Sequence, residues 1–310
     1  MKKIFVNLKR FDVPKGMGGI CLVDDPGKWT EWVMDECVKN GLGALKGIDV
    51  TLLLPEALVL KAVSRLSRYP ASDTGNLNIG SQGVYREDVI PGGNFGAFTT
   101  NLPAAAVKNM GCTWSIIGHS EERKSLFEIL ERFEPAYKGN SEMKLKADKT
   151  VNGIINDEIK CALNRGLNVL CCVGETAEEK GDGSFEEQKP RIEAVLKLQL
   201  ELGLGGITSA GSSENRIVIG YEPIWAIGPG KTPPGGEYIG FVSAYIKATV
   251  KEFFGFDPIV VYGGGLKEEN AGMISKIETI GGGLVALTKF IGDIAFEPEG
   301  LKRIIDKYIS

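Results

Sequence analysis

Residues 217–228 read IVIGYEPIWAIG. The first five of them form an apolar run, which is followed directly by the carboxylate of Glu222. A second apolar run, Ile116-Ile117-Gly118, ends in His119, which is the single histidine of the 310 residues. Continuous apolar runs of this length are typical of strands that are buried on both faces in a parallel sheet. Because parallel strands end on the same side of a sheet, the sequence predicts that Glu222 and His119 share one site.

Eight segments have the apolar character of such strands. They are Lys3–Asn7, Asp49–Leu54, Asn78–Gln82, Thr113–Gly118, Asn168–Val173, Arg216–Tyr221, Pro258–Tyr262 and Gly283–Thr288. Segments with helical periodicity separate them, among them Pro103–Met110, Asn156–Arg165, Phe185–Leu202, Glu237–Phe254 and Pro298–Tyr308. Eight alternating units predict an α/β protein with a (β/α)8 barrel, and an open doubly wound sheet is the alternative. No shift in composition divides the chain, so we expect a single domain over residues 1–310.

Three stretches exceed ordinary connection lengths and are predicted to be extended loops, at residues 13–29, 83–95 and 129–152. The first two are rich in glycine and proline, and the third is strongly charged. Long connections in a compact domain are usually functional or flexible. Two interpretations remain open for them, solvated surface or a role in shaping the site or an interface.

The composition excludes several classes of function. The formal net charge is −4, which argues against general binding of nucleic acid or a membrane surface. The six cysteines lack the CxxC spacing, and with one histidine they predict no metal site and free thiols of a cytoplasmic protein. No apolar stretch approaches the ~18 residues of a membrane span. We therefore expect a cytoplasmic enzyme without metal or other cofactor.

The residues around Glu222 suggest a base beneath a lid. A carboxylate among Tyr221, Pro223 and Trp225 can lose its water and become a stronger base. Residues 226–233 read AIGPGKTP, in which small residues lie between prolines, as in a segment that closes over a ligand and excludes water. The Gly-Lys-Thr within it does not make a phosphate-binding P-loop, because that motif needs a glycine where Trp225 stands.

Two further side chains are candidates at strand ends. His119 precedes Ser120-Glu121, and a helix that begins there would disfavour the protonated ring, although a histidine at this position is as often structural. Lys9 follows the first strand by two residues, from where its ammonium could stabilise a developing oxyanion. The alternative for Lys9 is an ordinary surface lysine.

Two glycine clusters flank the last strands. Residues 263–265 follow the seventh strand, where phosphate is commonly bound in this architecture and glycine permits close approach of the backbone. Residues 281–283 precede the eighth strand and are predicted to form a tight turn.

Taken together, these motifs resemble the triosephosphate isomerase family over nearly the whole chain. The resemblance rests on NLK at 7–9, GAFT at 96–99, IGHSE at 117–121, CVGE at 172–175, GYEPIWAIG at 220–228 and YGG at 262–264. The motifs around His119 and Glu222 are highly specific. The resemblance implies a TIM barrel, an aldose–ketose isomerase that works through an enediolate, and a sugar-phosphate substrate.

The resemblance also implies roles for individual residues. Lys9 would be the electrophilic lysine, His119 the neutral electrophile and Glu222 the base that moves the proton between carbons. Asn7 and Glu121 would line the site. Further residues implied to support the site or to bind phosphate through their amides are Cys172, Glu175, Gly228 and Gly265. In the family, the loop that contains the equivalent of Thr99 enters the neighbouring subunit, which implies a homodimer.

The sequence departs from the family pattern where phosphate is recognised. Leu8 replaces a tryptophan, Gly265 replaces a serine, and Pro229 stands in the lid where the family has an amide donor. The eighth strand lacks the usual Gly-Gly pair, so either Ala286 and Leu287 supply the amides or the loop is extended and Gly292 does. The dimer loop is about six residues longer and the segment after His119 about twenty longer than in a barrel of ~250 residues.

These departures affect recognition and leave Lys9, His119 and Glu222 in place. We expect interconversion of glyceraldehyde 3-phosphate and dihydroxyacetone phosphate. The alternatives are an isomerase of a four-carbon ketose phosphate such as erythrulose phosphate, and a non-catalytic barrel that binds a phosphorylated metabolite.

Overall fold

The computed structural model describes residues 1–207, 216–228, 230–290 and 292–310. Eight parallel strands pair in chain order, and β1 also pairs with β8, so the sheet closes into a barrel. The strands are β1 Lys2–Asn7, β2 Ile48–Leu54, β3 Leu77–Ser81, β4 Trp114–Ile117, β5 Asn168–Val173, β6 Ile217–Tyr221, β7 Ile259–Tyr262 and β8 Gly282–Val285. The prediction of a (β/α)8 TIM barrel is confirmed, and the open doubly wound sheet is excluded.

Helices surround this barrel. In the described residues they are α1 Pro26–Lys39, α2 Glu56–Leu66, α3 Ala71–Thr74, α4 Ala104–Asn109, α5 Ser120–Phe133, α6 Ser141–Asn164, α7 Ala177–Lys180, α8 Phe185–Gly203, α9 Gly236–Phe254, α10 Glu268–Ile274 and α11 Pro298–Ile309. None of these helices is both long enough and apolar enough to cross a membrane.

The core has two layers because strand side chains alternate between the barrel interior and the helices. The interior cluster consists of strand residues, including Phe5, Trp114 and Leu284. Its counterpart outside the barrel packs strand residues against the helices. Cys172 belongs to the interior cluster and Cys171 to the outer one, as their adjacent positions in a strand require. The cysteines are all among the described residues, and all are free thiols.

The charged stretch 129–152 is mostly helical, with a short connection at residues 134–140, so the prediction of an extended loop there is wrong. Residues up to Phe133 continue α5, and α6 begins at Ser141, capped by Asn140, whose side chain accepts the amides of Glu142 and Met143. The charges are spaced for a solvated helical face, as the Glu142–Lys146 pair shows at 2.7 Å. High charge density was therefore a property of exposed helix surface and not of a loop.

Of the other two predicted loops, one is shorter than predicted and the other is irregular over the whole predicted range. Residues 13–25 contain a single 3-10 turn, Lys15–Met17, but α1 begins at Pro26 after the cap Asp25, so the loop ends earlier than residue 29. Residues 83–95 contain neither helix nor strand, as expected. The tip of this second loop is almost entirely exposed.

β8 ends at Val285, three residues earlier than predicted. Beyond it, Lys289 and Ala295 form an antiparallel bridge that closes a short hairpin, with exposed Gly292 near its tip. At the start of β8, a side chain on Gly282 would meet the carbonyl oxygen of Lys3. The glycines there permit close approach to the neighbouring strands, a structural role different from the predicted tight turn.

Candidate active site

A cavity of about 720 Å³ opens at the carboxyl ends of the strands. Its lining contains seven of the residues that the sequence predicts for the site. They are Asn7, Lys9, His119, Glu121, Glu222, Gly265 and Ala286. Side chains from β1, the start of α5 and the end of β6 therefore meet at one mouth.

Glu222 lies immediately after β6, and its neighbours in the barrel are glycines. Pairing of β6 with β5 and β7 places Gly174 and Gly263 beside it. A β-carbon on Gly263 would lie 2.8 Å from Cγ of Glu222, and one on Gly174 would meet its carbonyl oxygen. The two glycines are needed because the Glu222 backbone and side chain fill the space where side chains would project.

The Glu222 carboxylate is buried, with 2% of the residue exposed, and points at the start of α5. Oε2 accepts the backbone amide of Ser120 at 3.0 Å, and Oε1 accepts the Ser120 hydroxyl at 3.2 Å. Nε2 of His119 lies 3.2 Å from Oε1. The carboxylate is thus held by two donors of Ser120 at one helix terminus, with the His119 ring beside it.

His119 is the N-cap of α5, which determines its tautomer. Its Nδ1 accepts the backbone amide of Glu121 at 3.2 Å, so this nitrogen is unprotonated and the ring proton is on Nε2. A neutral imidazole that directs its N–H into the cavity is the arrangement suggested by the sequence.

Lys9 adopts a left-handed backbone conformation with φ +41°, one of two such non-glycine residues in the described chain. Its amide donates to Asn7 Oδ1 at 3.1 Å, and Gln82 Nε2 donates to its carbonyl oxygen at 3.0 Å and to Asn7 Oδ1 at 3.3 Å. These bonds hold a strained residue in place. They direct the side chain over the mouth of the barrel.

The Lys9 ammonium donates to Oε1 of Glu121 at 2.5 Å. Partial burial raises the pKa of Glu121, but the hydrogen bond and charge of Lys9 outweigh it, and the net pKa is lowered. Glu121 therefore stays ionised and positions the ammonium. The pair lies at the rim, where the Glu121 side chain is 65% exposed.

The segment after Glu222 is anchored on a buried carboxylate. Oε1 of Glu175 accepts Trp225 Nε1 at 2.8 Å, the Tyr238 hydroxyl at 2.8 Å and the Tyr221 hydroxyl at 3.0 Å. Burial raises the pKa of Glu175, and the three donors lower it only in part. Glu175 joins β6, the segment 224–226 and α9, so it fixes the base of the predicted lid.

Cys172 packs within the barrel beneath the site. Burial raises the pKa of its thiol well above the usual range, and the nearby charge of Glu222 raises it further. It is therefore a neutral packing residue under the carboxylate and has none of the reactivity of a thiolate.

The phosphate end predicted from the sequence is only partly in the cavity. Gly265 and Ala286 line it, whereas Gly228, Leu287 and Gly292 do not. Of the two alternatives for the loop after β8, the position of Ala286 fits the cavity, and Gly292 lies on the hairpin beyond. Pro229 of the lid is outside the described residues.

Two residues at the site were not predicted from the sequence. Ser120 donates twice to Glu222, and Gln82 orients both Asn7 and Lys9. Ser120 adjoins His119 at a helix start, and Gln82 is a polar residue at the end of an apolar strand. Those positions were signals that could have identified them.

The arrangement can move protons without a metal ion. A carboxylate, a neutral N–H donor and an ammonium lie around one cavity, which suits proton transfer next to a carbonyl group and stabilisation of the resulting oxyanion. The described residues contain no group of three or more His, Cys, Asp or Glu side chains that could hold a metal.

Comparisons with known proteins identify the family of this chain. Residues 35–291 match the family model of triosephosphate isomerase, a range that contains His119 and Glu222 but begins after Asn7 and Lys9. Triosephosphate isomerase of Geobacter metallireducens is 34% identical over 246 residues, 77% of this chain and 80% of the relative. That of Oleidesulfovibrio alaskensis is 31% identical over 229 residues, 73% and 74% of the two chains.

A solved structure supports the fold in particular. The crystal structure of triosephosphate isomerase from Bartonella henselae matches with a TM-score of 0.67 and 22% identity, over 100% of this chain and 99% of that one. The barrel, the converging side chains and the relatives lead to one conclusion. The chain belongs to the triosephosphate isomerase family and is an enzyme of the aldose–ketose isomerase type.

Proposed function

We propose that the protein interconverts glyceraldehyde 3-phosphate and dihydroxyacetone phosphate through an enediolate. The observation that supports this proposal is the convergence of Glu222, His119 and Lys9 on one cavity. A carboxylate 3.2 Å from a neutral imidazole N–H has the geometry for successive proton transfers on adjacent atoms.

In the proposed reaction, Glu222 removes a proton from the carbon beside the substrate carbonyl, and the electron pair forms the carbon–carbon double bond of the enediolate. His119 donates its Nε2 proton to the carbonyl oxygen and recovers a proton from the neighbouring hydroxyl. The Lys9 ammonium stabilises the negative charge on these oxygens. Glu222 then returns its proton to the adjacent carbon, so that the net change is an isomerisation without a cofactor.

A four-carbon ketose phosphate is the second candidate substrate, and the space at the site supports it. A triose phosphate has about ten non-hydrogen atoms, whereas cavities of several hundred Å³ accommodate much larger ligands. The volume here is about 720 Å³, but part of it runs along α5 and α6 past Phe127, Tyr137 and Asp148. The hairpin after β8 is the feature that supports a longer carbon chain, because it changes the loop beside Ala286.

We also propose that the protein forms a homodimer through the loop that contains Thr99. Thr99 is exposed, and the same loop exposes Ile90 and Phe95, with 60% and 86% of each residue accessible. An L-residue with positive φ is strained, and Phe95 has φ +54°. Apolar side chains on a strained, protruding loop favour burial against another surface.

An isomerase panel of three-, four- and five-carbon aldose and ketose phosphates tests the proposed reaction, with the unphosphorylated sugars as controls. We expect the highest kcat/KM on the three-carbon phosphates and much lower values on the unphosphorylated controls. Preference for a four-carbon phosphate would select the second candidate. Binding without turnover on any member would contradict both and support the non-catalytic barrel.

A further inference from the structure

The turn after β7 has one face toward the catalytic cavity and another toward the hairpin after β8. Gly265 lines the cavity with φ +89°, a conformation that favours glycine. The Asn270 side chain closes the turn, because its Oδ1 accepts the amide of Lys267 at 2.8 Å and its Nδ2 donates to the Gly265 carbonyl at 3.1 Å. The Asn270 side chain thus holds Gly265 and Lys267 at a fixed distance from each other.

The Lys267 side chain folds back along this turn. A β-carbon built on Gly265 would lie 4.0 Å from Cε of Lys267, which is ordinary van der Waals contact. The Lys267 ammonium lies 4.4 Å from the ring centroid of Phe290, over the hairpin that follows β8. The cation is therefore held between the turn after β7 and the hairpin after β8. Neither Lys267 nor Phe290 lines the cavity, so the side chain must swing past Gly265 to reach a ligand there.

Three acidic side chains nearby pair with other cations. Glu268 binds Arg303 at 3.3 Å, Glu297 binds Lys289 at 2.9 Å, and Asp293 pairs with Lys15. Within the described part of the chain, no carboxylate lies within 4.0 Å of the Lys267 ammonium. Its charge is consequently available to an anion from outside the protein.

We propose that Lys267 is a specificity-determining residue that supplies a positive charge to the phosphate group of the substrate. This inference rests on the proposed isomerase function. At the phosphate end the chain has neither a serine at position 265 nor paired glycines after β8, so its backbone and hydroxyl donors are few. A lysine beside Gly265 compensates with a charge-assisted hydrogen bond to the phosphate. Phe290 keeps the ammonium at the rim when no substrate is bound.

The variant Lys267→Met tests this inference, because it keeps most of the side-chain length and removes the charge. We expect the KM for the phosphorylated triose and the inhibition constant of inorganic phosphate each to rise about tenfold, as for loss of one charged hydrogen bond. The kcat should stay within about twofold, as should kcat/KM for unphosphorylated glyceraldehyde. Lys267→Arg should retain most of the phosphate affinity.

Lys276→Met is the matched control, since Lys276 is an exposed lysine beyond the other end of α10. Unchanged KM and phosphate inhibition in Lys267→Met would overturn the proposal, as would equal losses on phosphorylated and unphosphorylated substrates. Calorimetric titration of both proteins with inorganic phosphate separates this test from the proposed function. If the wild-type protein isomerises no sugar phosphate, a difference in phosphate affinity between wild type and Lys267→Met still supports the role of Lys267, and equal affinities contradict it.

Discussion

At the scale of single residues, the chemistry of the site depends on where one helix begins. The first amides of α5 bind His119 Nδ1 and Glu222 Oε2, at 3.2 and 3.0 Å. These amides have no partner inside the helix, so they are free to hold a ring and a carboxylate. One helix start thereby sets the tautomer of the imidazole and the position of the base.

Shortening the base should impair turnover more than binding. In Glu222→Asp the carboxylate retracts by one methylene from Ser120 and from the substrate carbon, and a displacement of about 1 Å costs roughly a hundredfold in rate. We expect kcat to fall by about that factor with KM changed less than about threefold, as measured by steady-state kinetics. Glu237→Asp, at an exposed position of α9, is the control. A loss confined to KM would contradict the assignment of Glu222 as the base.

At the scale of elements, α5 and α6 meet through two acidic side chains. Glu122 on α5 accepts the amide of Gly118 at 2.6 Å, and Glu158 on α6 is buried beside it with no partner for its Oε2 among the described residues. Burial, with the charge of Glu122 and the bond to it, raises the pKa of Glu158 to about 10. Glu158 therefore keeps its proton at neutral pH and is the uncharged member of the pair.

This pair predicts a pH-dependent stability. The folded protein holds the Glu158 proton up to about pH 10, whereas the unfolded chain loses it near the ordinary value of 4.5. Since the folded state binds more protons between these values, the free energy of unfolding falls as pH rises through this window. Glu158→Gln mimics the protonated acid at every pH and should remove part of this fall.

Urea denaturation at pH 5 and pH 8 measures the effect. We expect Glu158→Gln to gain up to about 4 kcal/mol relative to wild type between these two pH values, because wild type loses about 1.4 kcal/mol for each of the three pH units. Glu252→Gln, on the exposed face of α9, should show no such gain. If the free energies of unfolding of Glu158→Gln and wild type changed in parallel with pH, the raised pKa of Glu158 would be contradicted.

At the scale of the whole molecule, the proposed dimer depends on the exposed tip of the loop with Thr99. Phe95→Glu places a charge where we propose that a partner surface packs, so it should shift the protein from dimer to monomer in sedimentation velocity. Phe253→Glu, at a 42% exposed position on α9, should leave the assembly unchanged. A wild-type protein that sediments as a monomer at micromolar concentration would contradict the dimer.

The eight strands, and the strand ends that bear Lys9, His119 and Glu222, could be predicted from the amino-acid sequence. The spacing of apolar residues within a segment indicates which of its faces is buried. A run of five apolar residues therefore predicts a buried strand without any information about the rest of the chain. The helices within residues 129–152 were not predicted, because an exposed charged helix buries too few residues to show a clear apolar stripe.

Which side chains contact one another depends on the folded structure and could not be predicted from the sequence. Ser120 donates to Glu222 across 102 positions of sequence, and Lys267 reaches Phe290 from another loop. Closure of the barrel in strand order places these loops at one mouth, and side-chain packing then selects their partners. Such contacts depend on register and on the path of whole connections, which no single segment of the sequence encodes.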